Sequence, residues 1–157
     1  MKKILKYLLA IGAALLVASV HLWKGFPPSI GNVVEEWQLL ADDVTATVYN
    51  ADPSQCNDDY THTASNYALN MDDIASERII AIERTMLERF NLAFGDIILV
   101  EGAGSYDGEW RVEDLMNKRF KGQNRIDFLV PQNIQNGKWH NLKIYTKVKC
   151  LQPKTES

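Results

Sequence analysis

The sequence predicts a mainly β protein, a small closed barrel of about six strands with one short helix, preceded by an N-terminal hydrophobic helix. Three observations carry this. After position 43 the apolar residues fall in short runs that are β-branched or alternate with polar residues, turn-forming Gly, Asn and Pro separate those runs, and only one stretch has helical spacing. At 157 residues the chain suffices for one domain with a real core and is too short for two.

Lys2, Lys3 and Lys6 precede an uncharged stretch from Tyr7 to Trp23, and no acidic residue comes before Glu35. This is the pattern of an export signal over residues 1–25. Its length lies between a cleaved apolar region of about 7–15 residues and the ~18 or more of a spanning helix. Val17-Ala18-Ser19 suits cleavage of a signal peptide, whereas Trp23 and Lys24 suit the interfacial end of an uncleaved anchor. Both readings place the protein in the periplasm or cell envelope, the second with an anchor in the inner membrane. No cysteine follows the apolar run, which argues against a lipoprotein.

Residues 26–42 read as a linker and short helix. Pro27 and Pro28 hold the chain extended, and Val33 to Ala41 has spacing for one or two helical turns. The barrel domain is expected over 43–150 and a tail over 151–157. Val44 to Tyr49 reads as the first strand and Ala51 to Asn66 as a polar loop of the length that usually carries function. Arg78 to Glu83 reads as a buried strand, and Thr85 to Asn91 as the short helix with Met86, Leu87 and Phe90 on one face. Ile97 to Val100 is the next strand. The turn Gly102 to Gly108 has three glycines but no helix after it, so it is no phosphate loop. Glu109 to Glu113 reads as a strand that ends at Asp114, followed by the Lys121-Gly122 turn and the strand Arg125 to Val130. Asn136-Gly137 reads as a hairpin turn into the last strand, Trp139 to Val148.

Without residues 1–25 the 17 basic residues fall by Lys2, Lys3, Lys6 and Lys24 to 13, against 20 acidic, a net of −7. Such a domain has no electrostatic reason to bind nucleic acid. Cys56 and Cys150 lie on the exported side, where disulfides persist, and are expected to bridge. A bridge closing most of the domain is worth about 4–5 kcal/mol in the chain-entropy model. Two free thiols are the other reading. Cys56 with His62 lacks a second pair at ligand spacing, so no metal site is expected.

Asp127 is the main site candidate on physical grounds. It sits inside Arg125-Ile126-Asp127-Phe128-Leu129-Val130, and a carboxylate buried unpaired there would cost several kcal/mol, so it must face a groove or hold a partner. Burial would raise its pKa toward that of a useful acid. The competing reading is an ion pair with Arg125 or Lys121. Asp114 is either a solvated turn carboxylate or a second acid near Asp127, and Glu83 either a site residue or the cap of the helix after it. Trp110 and Trp139 are core residues or sugar-stacking surfaces.

The stretch Asp114, Lys121-Gly122 and Arg125-Ile126-Asp127 resembles the 3D (three-aspartate) domain of lytic transglycosylases. Upstream, Thr47-Val48-Tyr49, Thr63-Ala64-Ser65, Ile80-Ala81-Ile82-Glu83 and Phe94 to Val100 resemble that family's earlier motifs in order, so the resemblance covers about residues 45–148. Three departures are visible: Glu83 stands for the first aspartate, Leu115-Met116-Asn117 replaces a Gly-Gly pair, and the interval from 114 to 127 is longer than usual. The resemblance implies a double-psi β-barrel and an exported enzyme acting on peptidoglycan glycan strands. It would cleave the β-1,4 bond between N-acetylmuramic acid and N-acetylglucosamine to a 1,6-anhydro product, with no cofactor or metal. Asp127 would be the general acid and base, Asp114 and Glu83 its catalytic partners, and Thr47, Tyr49, Thr63 and Lys121 substrate-binding. The alternatives are a non-catalytic cell-wall or phage envelope protein on the same barrel, and a hydrolytic glycosidase using Asp114 and Asp127 as a pair.

Overall fold

The computed structural model describes residues 32–56 and 59–152; the N-terminal apolar segment, the linker and most of the tail lie outside them. Contacts divide the chain into a terminal unit, Met1–Val34 with Leu151–Ser157, and a barrel unit, Glu35–Cys150, which is the subject here. Among the described residues no helix is long and apolar enough to cross a membrane.

The strands are β1 (Asn32–Tyr49), β2 (Ile79–Ile82), β3 (Ile97–Glu101), β4 (Gly108–Leu115), β5 (Arg125–Leu129) and β6 (Lys138–Gln152), with helices α1 (Ile74–Glu77) and α2 (Arg84–Phe90). They form a closed barrel in the order β1-β5-β2-β4-β3-β6. The β1–β5 and β2–β4 pairs are parallel, and β2–β5, β3–β4 and β3–β6 are antiparallel. The connection from β1 to β2 therefore passes over β5, and that from β4 to β5 passes over β2. Exchanging β1, β2 and β3 with β4, β5 and β6 reproduces the same order, so the barrel has a two-fold pseudosymmetry whose axis runs through the antiparallel β2–β5 pair.

Closure of six strands meets the expected fold class, but three local expectations fail. Val33 to Ala41 is not helical; it is the first half of β1. Its half-buried residues Val34, Trp37, Leu40 and Ala41 recur at a near-helical interval, which misled the pattern reading, while Leu40 and Ala41 pack on the barrel core as strand residues. Asn136-Gly137 is not a hairpin turn, because β5 neighbours β1 and β2 whereas β6 neighbours β3 and β1. Gly137 is required for a different reason: a Cβ there would lie 2.6 Å from the Trp139 ring. A second short helix, α1, is also present.

The barrel interior is apolar throughout. Ile80, Ile82, Val112, Ile126, Phe128, Ile98, Val100 and Ile144 are fully buried, and Met86, Leu87 and Phe90 of α2 pack on the same core as expected. Phe128 lies 4.6 Å from Trp110, 5.2 Å from Tyr106 and 5.7 Å from Trp139 between ring centres. Trp110 donates from Nε1 to the Tyr106 carbonyl at 2.7 Å, so both candidate sugar-stacking tryptophans belong to the core cluster. A smaller second core, Ala51, Ile79 and Leu129 with Tyr49, Tyr67, Leu69 and Ile74, lies on the outer side of the wall under the 59–77 segment.

Candidate active site on the outer barrel wall

Alternation along β5 sends Ile126 and Phe128 inward, so Arg125 and Asp127 face outward and stay half-buried. Asp127 is opposite Thr47 on β1 and Ala81 on β2, and Ala81 is opposite Asp114 on β4. One row thus reads Thr47, Asp127, Ala81, Asp114 across four adjacent strands. Two strand spacings separate the aspartate backbones, about 10 Å, with only the Ala81 methyl between them.

Asp114 reaches this row through a β-bulge. Ile80 pairs with Val112 but Ala81 pairs with Asp114, leaving Glu113 as the extra residue. An unbroken register would place Asp114 opposite Ile82, whose side chain points into the core; the bulge re-aims it to the outer face. Asp114 therefore lies within β4, not in the turn after the strand as the sequence suggested. Its carboxylate is fully engaged: Oδ2 accepts from the Tyr49 hydroxyl at 3.0 Å, and Oδ1 from the Ala64 and Leu115 N–H groups at 3.0 and 2.8 Å. Burial, reinforced by the Asp114 charge and hydrogen bond, pushes the Tyr49 phenol well above its ordinary pKa, so it remains a donor.

Asp127 is held differently. The Thr47 hydroxyl donates to its Oδ1, and Arg125 Nη2 donates to Thr47 Oγ1 at 3.4 Å, which turns the single Thr47 proton toward the carboxylate. Neither Arg125 nor Lys121 forms an ion pair with it among the described residues. Burial raises the Asp127 pKa, and the Asp114 charge adds to the rise. The Thr47 hydrogen bond and the positive charges of Arg125 and Arg119 oppose it without cancelling it. Oδ2 carries no protein hydrogen bond among the described residues.

The other expected site residues go elsewhere. Glu83 is buried and caps α2, accepting from the Thr85 N–H at 3.0 Å and the Thr85 hydroxyl. Burial pushes its carboxyl up, but the Thr85 hydroxyl and the N–H groups of Thr85, Gly122 and Met86 outweigh this and hold it below its usual value. The expected helix cap is thus formed. Thr63 is buried, and its oxygen accepts from the Tyr67 N–H at 3.2 Å and bonds Ser65 Oγ at 2.9 Å, shaping the 63–67 turn. That turn is clipped to β4 by Ser65 N–H to the Glu113 carbonyl at 3.1 Å, which is what brings the Ala64 N–H to Asp114. Lys121 is exposed, closes the 3₁₀ turn Lys118–Phe120 through its N–H, and forms no ion pair among the described residues.

The expected Cys56–Cys150 bridge is absent; both are free thiols. Alternating strand directions explain it. Cys56 follows the C-terminal end of β1, and β6 runs opposite to β1, so Cys150 near the end of β6 is at the other end of the barrel. Cys56 Sγ instead donates to the Asn50 carbonyl at 3.4 Å. His62 pairs with Asp59 at 2.9 Å, and no cluster among the described residues could hold a metal.

Sequence reading missed Arg119 and the network that fixes the covering loop: Arg111 with Glu77 at 3.6 Å and Glu113 at 3.5 Å, its guanidinium 4.2 Å above the Tyr67 ring. The period of two placed Arg125 beside Asp127 on one face, and nothing comparable pointed to Arg119, which comes from a turn. No family model matches the chain, and no curated protein does.

Proposed function

We propose that this protein is an exported peptidoglycan lytic transglycosylase built on a double-psi β-barrel, with Asp127 as its single acid and base. The observation that carries the reading is the inequality of the two aspartates. Asp114 has both oxygens taken by three donors, whereas Asp127 has a raised pKa and a free Oδ2. One free carboxyl suits a reaction whose nucleophile comes from the substrate itself. Asp127 protonates the glycosidic oxygen between N-acetylmuramic acid and N-acetylglucosamine, then takes the proton from the sugar's 6-hydroxyl as that oxygen closes on C1. Water is not consumed, and the product is a 1,6-anhydro sugar. Thr47 and Arg125 hold Asp127, and Tyr49 with the 63–65 turn holds Asp114 in the same row. The interlocked crossovers of β1–β2 and β4–β5 support the double-psi reading, as does the order of motifs from Thr47 to Asp127. The N-terminal basic and apolar segment supports a place in the periplasm or cell envelope.

Mass spectrometry of purified peptidoglycan incubated with the protein tests this. Anhydro-muropeptides are expected. Reducing ends would instead identify a hydrolase using both aspartates, and uncleaved glycan that pellets with the protein would identify a binding module.

A further inference from the structure

Beside Asp127, two arginines are held without an acidic partner. Arg125 lies 4.1 Å above the Phe120 ring and Arg119 lies 4.7 Å from the same ring, so one aromatic side chain carries both guanidinium groups. Arg125 shares the outer face of β5 with Asp127, and the common Phe120 ring places Arg119 beside Arg125. Neither is within ion-pair distance of any carboxylate among the described residues. Arg125 Nε is buried and has no hydrogen-bond partner among the described residues, although an orphaned donor of a charged group costs more than a neutral one. A planar guanidinium stacked on an aromatic ring is fixed in direction and matches the two oxygens of a carboxylate.

We propose that Arg119 and Arg125 form an anion subsite next to Asp127 that binds a carboxylate carried by the glycan substrate. This rests on the glycan reading above and adds to it the substrate's charge. On a murein strand such a carboxylate has two sources, the free lactyl arm of muramic acid or the peptide attached to it, and the neutral N-acetylglucosamine polymer has neither. The subsite therefore separates murein from chitin-like strands of the same backbone.

Binding of three soluble oligosaccharides to the full-length Asp127→Asn protein, in which cleavage is blocked, tests the proposal. The ligands are peptide-bearing murein oligomers, the same oligomers stripped by an amidase to free lactyl arms, and chitooligosaccharides of equal length. At least one carboxylate-bearing ligand is expected to bind about tenfold or more tightly than the chitooligosaccharide, as befits one charge-assisted bidentate contact. Adding Arg119→Gln, at an exposed position, should bring the ratio to near one and leave chitooligosaccharide affinity unchanged. Tighter binding of the peptide-bearing ligand assigns the carboxylate to the peptide, and tighter binding of the stripped one assigns it to the lactyl arm. Equal affinity for all three, or a preference that survives Arg119→Gln, overturns the subsite and leaves the glycan reading standing. Failure of all three to bind overturns both.

Discussion

On the inner face of β5, Ile126 and Phe128 are fully buried in an apolar core; on its outer face, two residues of the same strand, Arg125 and Asp127, lie half-buried among hydroxyls and charges. The backbone is shared, so strand geometry cannot account for the contrast. What differs is the covering layer. Other strands close over the inner face, while the outer face is partly roofed by the 59–77 segment, whose polar turn at 63–67 donates to Asp114 and whose apolar residues fill only the small second core. Barrel closure makes one face inert, and a loop leaves the other partly wet. A carboxylate can then be desolvated enough to shift its pKa and still reach a ligand.

The largest effect expected on the outer face is Asp127→Asn. Release of anhydro-muropeptides should fall about 10²–10⁴-fold, as for loss of a general acid, while circular dichroism shows the fold retained. A folded Asp127→Asn protein with full activity would break the comparison at its centre. On the inner face, Phe128→Ala should cost about 3–5 kcal/mol, read as a lower denaturant midpoint. Rates per folded molecule should change far less, so the two faces separate by readout.

Glu83 sharpens the contrast, because it follows directly on β2, two residues beyond Ala81 of the row, but serves the fold. Glu83→Ala should destabilise by about 0.5–2 kcal/mol through loss of the α2 cap, with little change in turnover of the folded protein. Its folded pKa is depressed, so its contribution is present above the unfolded value of about 4.3 and is lost as pH falls through the lower folded value. The variant should show a flatter stability profile in that acid window. A loss of turnover as large as that of Asp127→Asn would return Glu83 to the catalytic set.

The smallest effect is on stability at Asp127 itself. Its folded pKa is raised, so the ionised carboxyl costs the folded state above that pKa, and the cost is relieved as pH falls toward the unfolded value. Asp127→Asn should therefore melt slightly higher than the parent at neutral pH, with the gain shrinking on acidification. A melting temperature lowered by the substitution would mean that Asp127 holds the wall together.

Apolar runs and alternation made β2, β3, β4, β5, β6 and α2 legible in the sequence, because each buries residues at the spacing its geometry requires. The first half of β1 was not, since its half-buried residues mimic a helical interval and only pairing partners far along the chain decide its state. In the site, Asp127 stood out because an acid inside an apolar strand must be explained. Asp114 depended on the bulge at Glu113, which no local pattern announces. The fate of Glu83 was written in the Thr85 that follows it, and that of Lys121 and Arg119 in a 3₁₀ turn whose direction the sequence leaves open.

The pseudosymmetry of the barrel relates Asp127 to Ala81 and Thr47 to Asp114, so the four-residue row maps onto itself under a half-turn. Had both halves kept the same residues, a polymer laid along the row would meet an identical surface whether threaded forward or backward. An acid against a methyl, and a hydroxyl against an acid, remove that equivalence and give the row a head and a tail, as a glycan strand with one reducing end also has.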